Sequence, residues 1–256
     1  MMNKVVKILT LVFVALFLAA TSYACFLCLK YYASKKVKDV NVTLSFPEEK
    51  QMITEKMLNA SLATQIKNIK GMSFNQVHDT AILNELRSYA AIDDVVITSD
   101  IEGVLHVKVE QKNPFAKLGN DKEVGGYYLT SNCECFHSKT YFGAYKPVVV
   151  AGMDYDEVKK GGEKVSMLKT LFRYMENEPD GFLQDVVNTI QLPKNGGDIR
   201  LKTNVGVRDV HLGTIENLDE KVFKLKAFYK ALDDDAVAKY KELDLEYDNL
   251  VVARNK

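Results

Sequence analysis

The segment NCECFH, residues 132–137, holds the most concentrated set of reactive side chains in the sequence. Cys133, Cys135 and His137 alternate along it, so all three would share one face if the segment were a β-strand. Thiolate and imidazole bind zinc, but a structural zinc site usually has four ligands, and no fourth follows at a familiar spacing. A disulfide between the two cysteines would close a small, strained ring. The sequence therefore favours a hairpin that binds no metal.

The other histidines and the common catalytic motifs give no sign of chemistry elsewhere in the sequence. His78, His106 and His211 have no second ligand or nucleophile near them in sequence. There is no G-x-S-x-G, H-E-x-x-H, Walker or dinucleotide-binding glycine pattern. Lys and Arg total 34, as do Asp and Glu, so net charge gives no reason to expect a nucleic-acid partner. We expect a protein that is not an enzyme and has no cofactor or small-molecule substrate.

The N-terminal region carries an uncharged run from Ile8 to Leu29. At a rise of about 1.5 Å per residue, a helix of this length spans ~33 Å, which is enough to cross a bilayer. Two alternatives are a signal peptide cleaved near Ala24 and lipid attachment at Cys25 after similar processing. The apolar run continues past both positions. We therefore expect a tail over residues 1–7 and a retained transmembrane helix over residues 8–29.

Residues 37–112 alternate between strand and helix patterns in the order β-α-α-β-β. Thr54 is in position to cap the first helix, which Gly71 ends. In the last strand Leu105, Val107 and Val109 point one way while the residues between them are polar, which predicts a strand with one solvated face. This is a small α+β domain in which two helices cover one face of a sheet.

Residues 113–256 read as a mostly antiparallel β domain with flanking helices. Short apolar runs predict strands, and a hairpin is expected to turn at residues 195–197. One helix has Val165, Leu168, Phe172 and Met175 at core spacing, and a second begins at Leu218.

The C-terminal stretch alternates apolar Leu243, Leu245 and Tyr247 with acidic residues at 244, 246 and 248, the pattern of a half-buried strand. In an ordinary sheet Tyr247 would lie in the core. The sequence leaves open whether Asp248 and Asn249 divide the stretch into two strands, with LVVAR as the edge.

The order of these motifs resembles the FtsQ/DivIB family of bacterial cell-division proteins. The matching segments run along nearly the whole chain: MITEKML, DDVVITSDIEGVLHVKVEQKNPFAKL, YKPVVVAG, IRLKTNVGVRDVHLG, NLDEKVFKLKAFYKAL and ELDLEYDNLVVAR. The resemblance implies a cytoplasmic tail, one transmembrane helix, a polypeptide-transport-associated (POTRA) domain over 37–112 and a periplasmic β domain over 113–256. It also implies a septal, inner-membrane location. The lysines that follow the span favour the opposite orientation, whereas the resemblance implies a cytoplasmic N-terminus.

The resemblance further implies a scaffold that binds FtsB- and FtsL-type division proteins by strand addition at its C-terminal edge. The positions that would bind the partner are Leu245, Tyr247, Asp248, Asn249, Leu250, Val251 and Val252. Glu246 stands where the family often has a basic residue, which suggests a partner that is basic at the facing position. Two rival functions are a POTRA-bearing envelope transport or assembly factor and a cleaved periplasmic lipoprotein.

Overall fold

The computed structural model describes residues 2–47, 49–77, 79–119, 125–144, 146–193, 198–232, 234–237, 239–248 and 250–255. Its internal contacts divide the chain into two compact units. Unit 1 contains Met1–Ser45, Thr54–Ser88 and Asp94–Glu110, and unit 2 contains Phe46–Ile53, Tyr89–Asp93 and Gln111–Lys256.

Unit 1 begins with helix α1, Met2–Ala33. Its segment Leu9–Tyr32 is 24 residues long, is apolar enough to cross a membrane, and has none of its residues buried. A long row of exposed apolar side chains is unfavourable in water, so this segment is a candidate membrane span. At its end the Tyr32 hydroxyl hydrogen-bonds to the backbone oxygen of Ser99 and lies 2.7 Å from its Oγ. That contact ties the end of the helix to the rest of unit 1.

The remainder of unit 1 is a three-stranded sheet with two helices. Its elements are β1 (Asp39–Ser45), α2 (Glu55–Ile69), a 3₁₀ turn (Phe74–Gln76), α3 (Asp79–Arg87), β2 (Ile92–Ser99) and β3 (Val104–Gln111). The strand order is β1-β3-β2, with β1 parallel to β3. Thr54 caps α2 as predicted, because its side chain accepts a hydrogen bond from the Met57 backbone N–H at 3.2 Å. The alternation predicted for β3 is confirmed, since Leu105, Val107 and Val109 are buried.

The described residues of unit 2 form a nine-stranded, mostly antiparallel sheet in the order β12-β11-β10-β9-β8-β7-β4-β5-β6. The strands are β4 (Ala116–Leu118), β5 (Gly126–Leu129), β6 (Cys135–Ser138), β7 (Val148–Ala151), β8 (Val187–Gln191), β9 (Ile199–Thr203), β10 (Asp209–Gly213), β11 (Tyr240–Asp244) and β12 (Val252–Asn255). Three neighbouring pairs are parallel: β4 with β7, β7 with β8, and β10 with β11. The predicted mixed α+β class is confirmed.

Five helices of unit 2 fall in the described part of the chain: α4 (Tyr155–Lys160), α5 (Glu163–Asn177), α6 (Phe182–Val186), α7 (Leu218–Ala231) and α8 (Asp234–Val237). The sequence predicted α5 and α7 but not the short helices. Leu168, Phe172 and Met175 of α5 are buried in the main core, with Val165 packed at its side. The hairpin between β8 and β9 forms, while its predicted turn at 195–197 lies outside the described residues.

Candidate functional site

The predicted C-terminal strand is two strands, which corrects the reading of residues 243–247 as one alternating strand. Strand β11 ends at Asp244, and the chain returns antiparallel as β12 from Val252. Leu243 and Leu245 are fully buried, whereas Tyr247 is 54% exposed and so does not lie in the core. The alternation misled because Leu245 stays buried after strand pairing has ended; its backbone N–H donates instead to the His211 carbonyl oxygen at 3.0 Å.

The turn between β11 and β12 exposes apolar side chains. Leu250 is 63% exposed, and Val252, the first residue of β12, is 37% exposed. Val251 is half-buried and packs against the core, so it supports the turn from below. Asp248 is exposed, and Asn249 lies outside the described residues. Tyr247, Leu250 and Val252 therefore form a small apolar surface, here called the terminal patch.

Helix α7 holds this turn at its base. The ammonium group of Lys224 donates hydrogen bonds to the carbonyl oxygens of Leu245 at 3.0 Å and Tyr247 at 2.8 Å. Lys224 also pairs with Glu220 at 3.2 Å, and its side chain is only 10% exposed. These hydrogen bonds give partners to two carbonyl groups that lie beyond the end of β11. They hold the backbone beside the terminal patch in place.

Strand β12 stands at one end of the sheet. Within the part of the chain that the structure describes, it pairs with β11 alone. Its Ala253 packs against the core, while Arg254 is exposed and pairs with Glu242 at 3.3 Å. Glu242 also pairs with Arg200 at 3.2 Å. The edge strand thus has apolar side chains in its first half, followed by the basic Arg254 and by Asn255.

The predicted acidic face of the C-terminal strand is not one solvated row. Asp244 is buried, and its carboxylate lies 3.3 Å from Nδ1 of His211. The side chain of Glu246 lies against Gly213. Asp244 is therefore engaged within the chain, while Glu246 lies close to the chain but is exposed.

The cysteine segment lies at the other end of the sheet. Cys133 is buried in a turn with a positive φ of 61°, and Cys135 and His137 belong to β6. Both cysteines are free thiols, and burial raises the pKa of each to about 11. A thiol with so high a pKa is almost fully protonated at neutral pH and is a weak nucleophile. His137 is exposed and packs edge-on against the Tyr127 ring at 5.1 Å.

The sequence reasoning missed Lys224 and Arg254. Lys224 is separated from the carbonyl groups it binds by 21 and 23 residues, so no local spacing reveals the contact. Arg254 lies in the segment LVVAR, which is the edge strand if the C-terminal stretch divides into two strands. The sequence feature that could have identified Arg254 is a basic residue at the end of an apolar segment at the sheet edge.

A comparison with protein families gives a match. A family model described as FtsQ/DivIB, C-terminal related matches residues 113–254. That range covers more than half of the chain and contains the terminal patch, Lys224 and Arg254. No curated protein matches the sequence.

Proposed function

The chain belongs to the FtsQ/DivIB, C-terminal related family, and from this premise we propose that it is a non-enzymatic scaffold of the division machinery. In this proposal it recruits FtsB- and FtsL-type partners to the septum, and a partner strand adds to β12. The family is one of non-enzymatic division proteins, and this supports a role in binding rather than in catalysis.

The observation that carries the proposal is the end of the sheet at β12. A terminal strand offers unpaired backbone N–H and C=O groups, which a partner strand can bind while pockets for alternate side chains supply selectivity. Such an edge is an aggregation hazard when left open, so an apolar patch beside it is unfavourable unless a partner covers it. Tyr247 and Leu250 supply that patch.

The turn is already held in one conformation before a partner binds. Lys224 holds the carbonyl groups of Leu245 and Tyr247, and Val251 packs beneath the turn. A surface that is already held in its bound conformation loses less conformational entropy when the partner docks. Because Arg254 is exposed and pairs with Glu242 at the surface, we propose a partner strand with apolar side chains opposite the patch and an acidic residue that competes for Arg254.

We assign the remaining parts supporting roles. Helix α1 would anchor the protein in the inner membrane, with its N-terminus in the cytoplasm and with the rest of unit 1 and unit 2 in the periplasm. The β-α-α-β-β order of unit 1 supports its assignment as a POTRA-type domain with a second docking surface. Confinement to one membrane raises the effective concentration of partners that are anchored there too.

The test is co-purification of FtsB- and FtsL-type proteins with the full-length chain from detergent-solubilised membranes. The double variant Tyr247→Glu/Leu250→Glu places two charges on the patch, and we expect partner recovery to fall by roughly 30-fold or more, the range of an interface hot spot. Val205→Glu, which changes another exposed valine in unit 2, is the matched control and should retain the partner.

Both variants should keep the wild-type circular dichroism spectrum, since all three side chains are exposed. Undiminished recovery by the folded double variant would overturn strand addition at this edge. Equal loss in the Val205→Glu control would show that the patch has no special role.

A further inference from the structure

A histidine with three carboxylates around it lies beneath the β11–β12 turn. His211 Nε2 is 2.9 Å from Oδ2 of Asp198, and its Nδ1 is 3.3 Å from Oδ2 of Asp244. Donor atoms of Asp198, His211 and Glu246 all lie within 4.8 Å of one another. These residues come from the position just before β9, from β10 and from the turn after β11, so the fold alone brings them together.

The local backbone is shaped to admit the Glu246 carboxylate. The register of β10 against β9 shifts between His211 and Gly213, and Gly213 has a φ of +70°. A Cβ atom at that position would lie 3.2 Å from the Glu246 carboxyl group. Glycine therefore serves both the left-handed backbone and the close approach of the side chain.

The ring nitrogen that faces Asp198 and Glu246 is inaccessible to solvent. Although Asp198 Oδ2 is 2.9 Å away, Nε2 makes no hydrogen bond to any of the described residues. A buried polar atom without a hydrogen bond costs free energy of about 1–3 kcal/mol, so this nitrogen is expected to have another partner. It points into the only group of three or more potential metal donors found in the described part of the chain.

Asp244 orients the His211 ring through its other nitrogen, Nδ1. It is buried; one of its oxygens faces His211 Nδ1, and the other accepts a hydrogen bond from the Glu246 backbone N–H at 3.1 Å. Metal-binding histidines commonly donate the second ring N–H to a carboxylate, which fixes the tautomer that leaves the other nitrogen free to bind.

The charges around His211 favour a cation. The carboxylates of Asp198, Asp244 and Glu246 surround the ring, with Asp198 Oδ2 at 2.9 Å from Nε2 and Asp244 Oδ2 at 3.3 Å from Nδ1. Lys221 interacts with Glu246 and Asp198 at longer range, yet its ammonium group donates its 2.8 Å hydrogen bond to the Thr214 carbonyl oxygen. The carboxylates thus keep surplus negative charge at the point where Nε2 faces them.

We propose that Asp198, His211 Nε2 and Glu246 bind a divalent transition-metal ion, for which Zn²⁺ is the best match, with Asp244 orienting the histidine. One imidazole nitrogen and two carboxylates are ligands that zinc accepts, and three protein ligands leave a coordination position for water.

The bound ion would link the start of β9, strand β10 and the base of the β11–β12 turn. It would therefore hold the turn that carries the terminal patch in one conformation and strengthen partner binding by pre-ordering the site. This consequence rests on the proposed function, whereas metal binding itself does not.

Metal binding is tested on the full-length chain in detergent, stripped with a chelator and titrated with Zn²⁺ in competition with a chromophoric chelator. We expect one ion per chain. Glu246→Gln and Asp198→Asn should each weaken binding by about 10-fold or more, since even the partners of ligands change metal affinity by 10–100-fold. Both side chains are exposed, so the variants are expected to fold. Glu216→Gln makes the same charge change at an exposed residue outside the group and should bind zinc like the wild type.

X-ray absorption at the zinc edge then identifies the ligand atoms. Nitrogen and oxygen ligands with an imidazole signal support the site; sulfur ligands would assign the ion to cysteines and overturn it. Affinity that is unchanged in both carboxylate variants would show that His211 takes part in ion pairs only.

The effect on the edge is measured separately, as partner recovery with and without Zn²⁺. Recovery that falls several-fold after metal removal in the wild type, but does not respond to metal in Glu246→Gln, supports the link. Wild-type recovery that is independent of metal would overturn it. A wild-type chain that binds zinc but no division partner would instead contradict the proposed function and leave the metal site standing.

Discussion

The two ends of the sheet in unit 2 are built differently. Strands β6 and β12 each have four residues and each pairs with one neighbour in the described part of the chain. Beyond β6 the chain is held: the Thr140 hydroxyl donates to the Met52 carbonyl oxygen at 2.7 Å, and the Phe142 N–H donates to the Gln51 carbonyl oxygen at 2.7 Å. Strand β12 instead follows a turn with exposed apolar side chains.

The side chains of the two strands show the same difference. Phe136 and Ser138 of β6 are buried, whereas three of the four residues of β12 are exposed. Phe136 also stacks near Tyr128 at 6.1 Å and lies beneath the Lys112 ammonium group at 5.8 Å. An edge strand that serves only the fold is expected to be covered in this way. The comparison is consistent with the proposal that β12 is the edge to which a partner strand adds.

The largest expected difference between the edges is in stability. Phe136→Ala removes a buried ring from β6 and should lower the free energy of unfolding by about 3–5 kcal/mol. Val252→Ala trims a partly exposed side chain on β12 and should change it by less than about 0.5 kcal/mol. Urea unfolding of the full chain in detergent measures both. Similar losses would show that β12 is packed as tightly as β6.

The two edges should also differ in thiol reactivity, although by a smaller factor than in stability. Because burial raises the pKa of Cys135 to about 11 from an ordinary 9.0, its thiolate fraction at pH 8 is about 100-fold below that of an unperturbed thiol. In a Val252→Cys variant, iodoacetamide should modify the introduced thiol about 100-fold faster than Cys135, as measured by peptide mass spectrometry.

The pH dependence of alkylation provides an internal control. The rate at Cys135 should rise about 10-fold per pH unit up to roughly pH 10, because its thiol is still mostly protonated there. The rate at the introduced thiol should level off above its ordinary pKa near 9. Equal rates at pH 8 would mean that the β6 edge is as open as β12.

Much of the architecture was predictable because it depends on local patterns. The alternation of Leu105, Val107 and Val109 and the cap at Thr54 are set by residues within one or two turns of each other, and the structure confirms them. The order of short motifs predicted the FtsQ/DivIB family, and the family match over 113–254 confirms that prediction.

The details of the candidate site depend on contacts between residues that are far apart in sequence, so local spacing does not predict them. Leu245 continued the apolar alternation although β11 had ended, because a buried side chain does not require a paired backbone. His211 had no second ligand near it in sequence, yet Asp198 and Glu246 reach it from elements 13 residues before and 35 residues after it. Only the path of the chain through three strands places them together.

Photo-crosslinking in growing cells tests the central claim most directly. A photoreactive amino acid is placed at Val252 or Arg254 on β12 and, for comparison, at His137 on β6, all of them exposed positions. Our account predicts crosslinks from both β12 positions to a small membrane-anchored division protein and none to that protein from β6. Crosslinks to that partner from His137 with none from β12 would contradict the account.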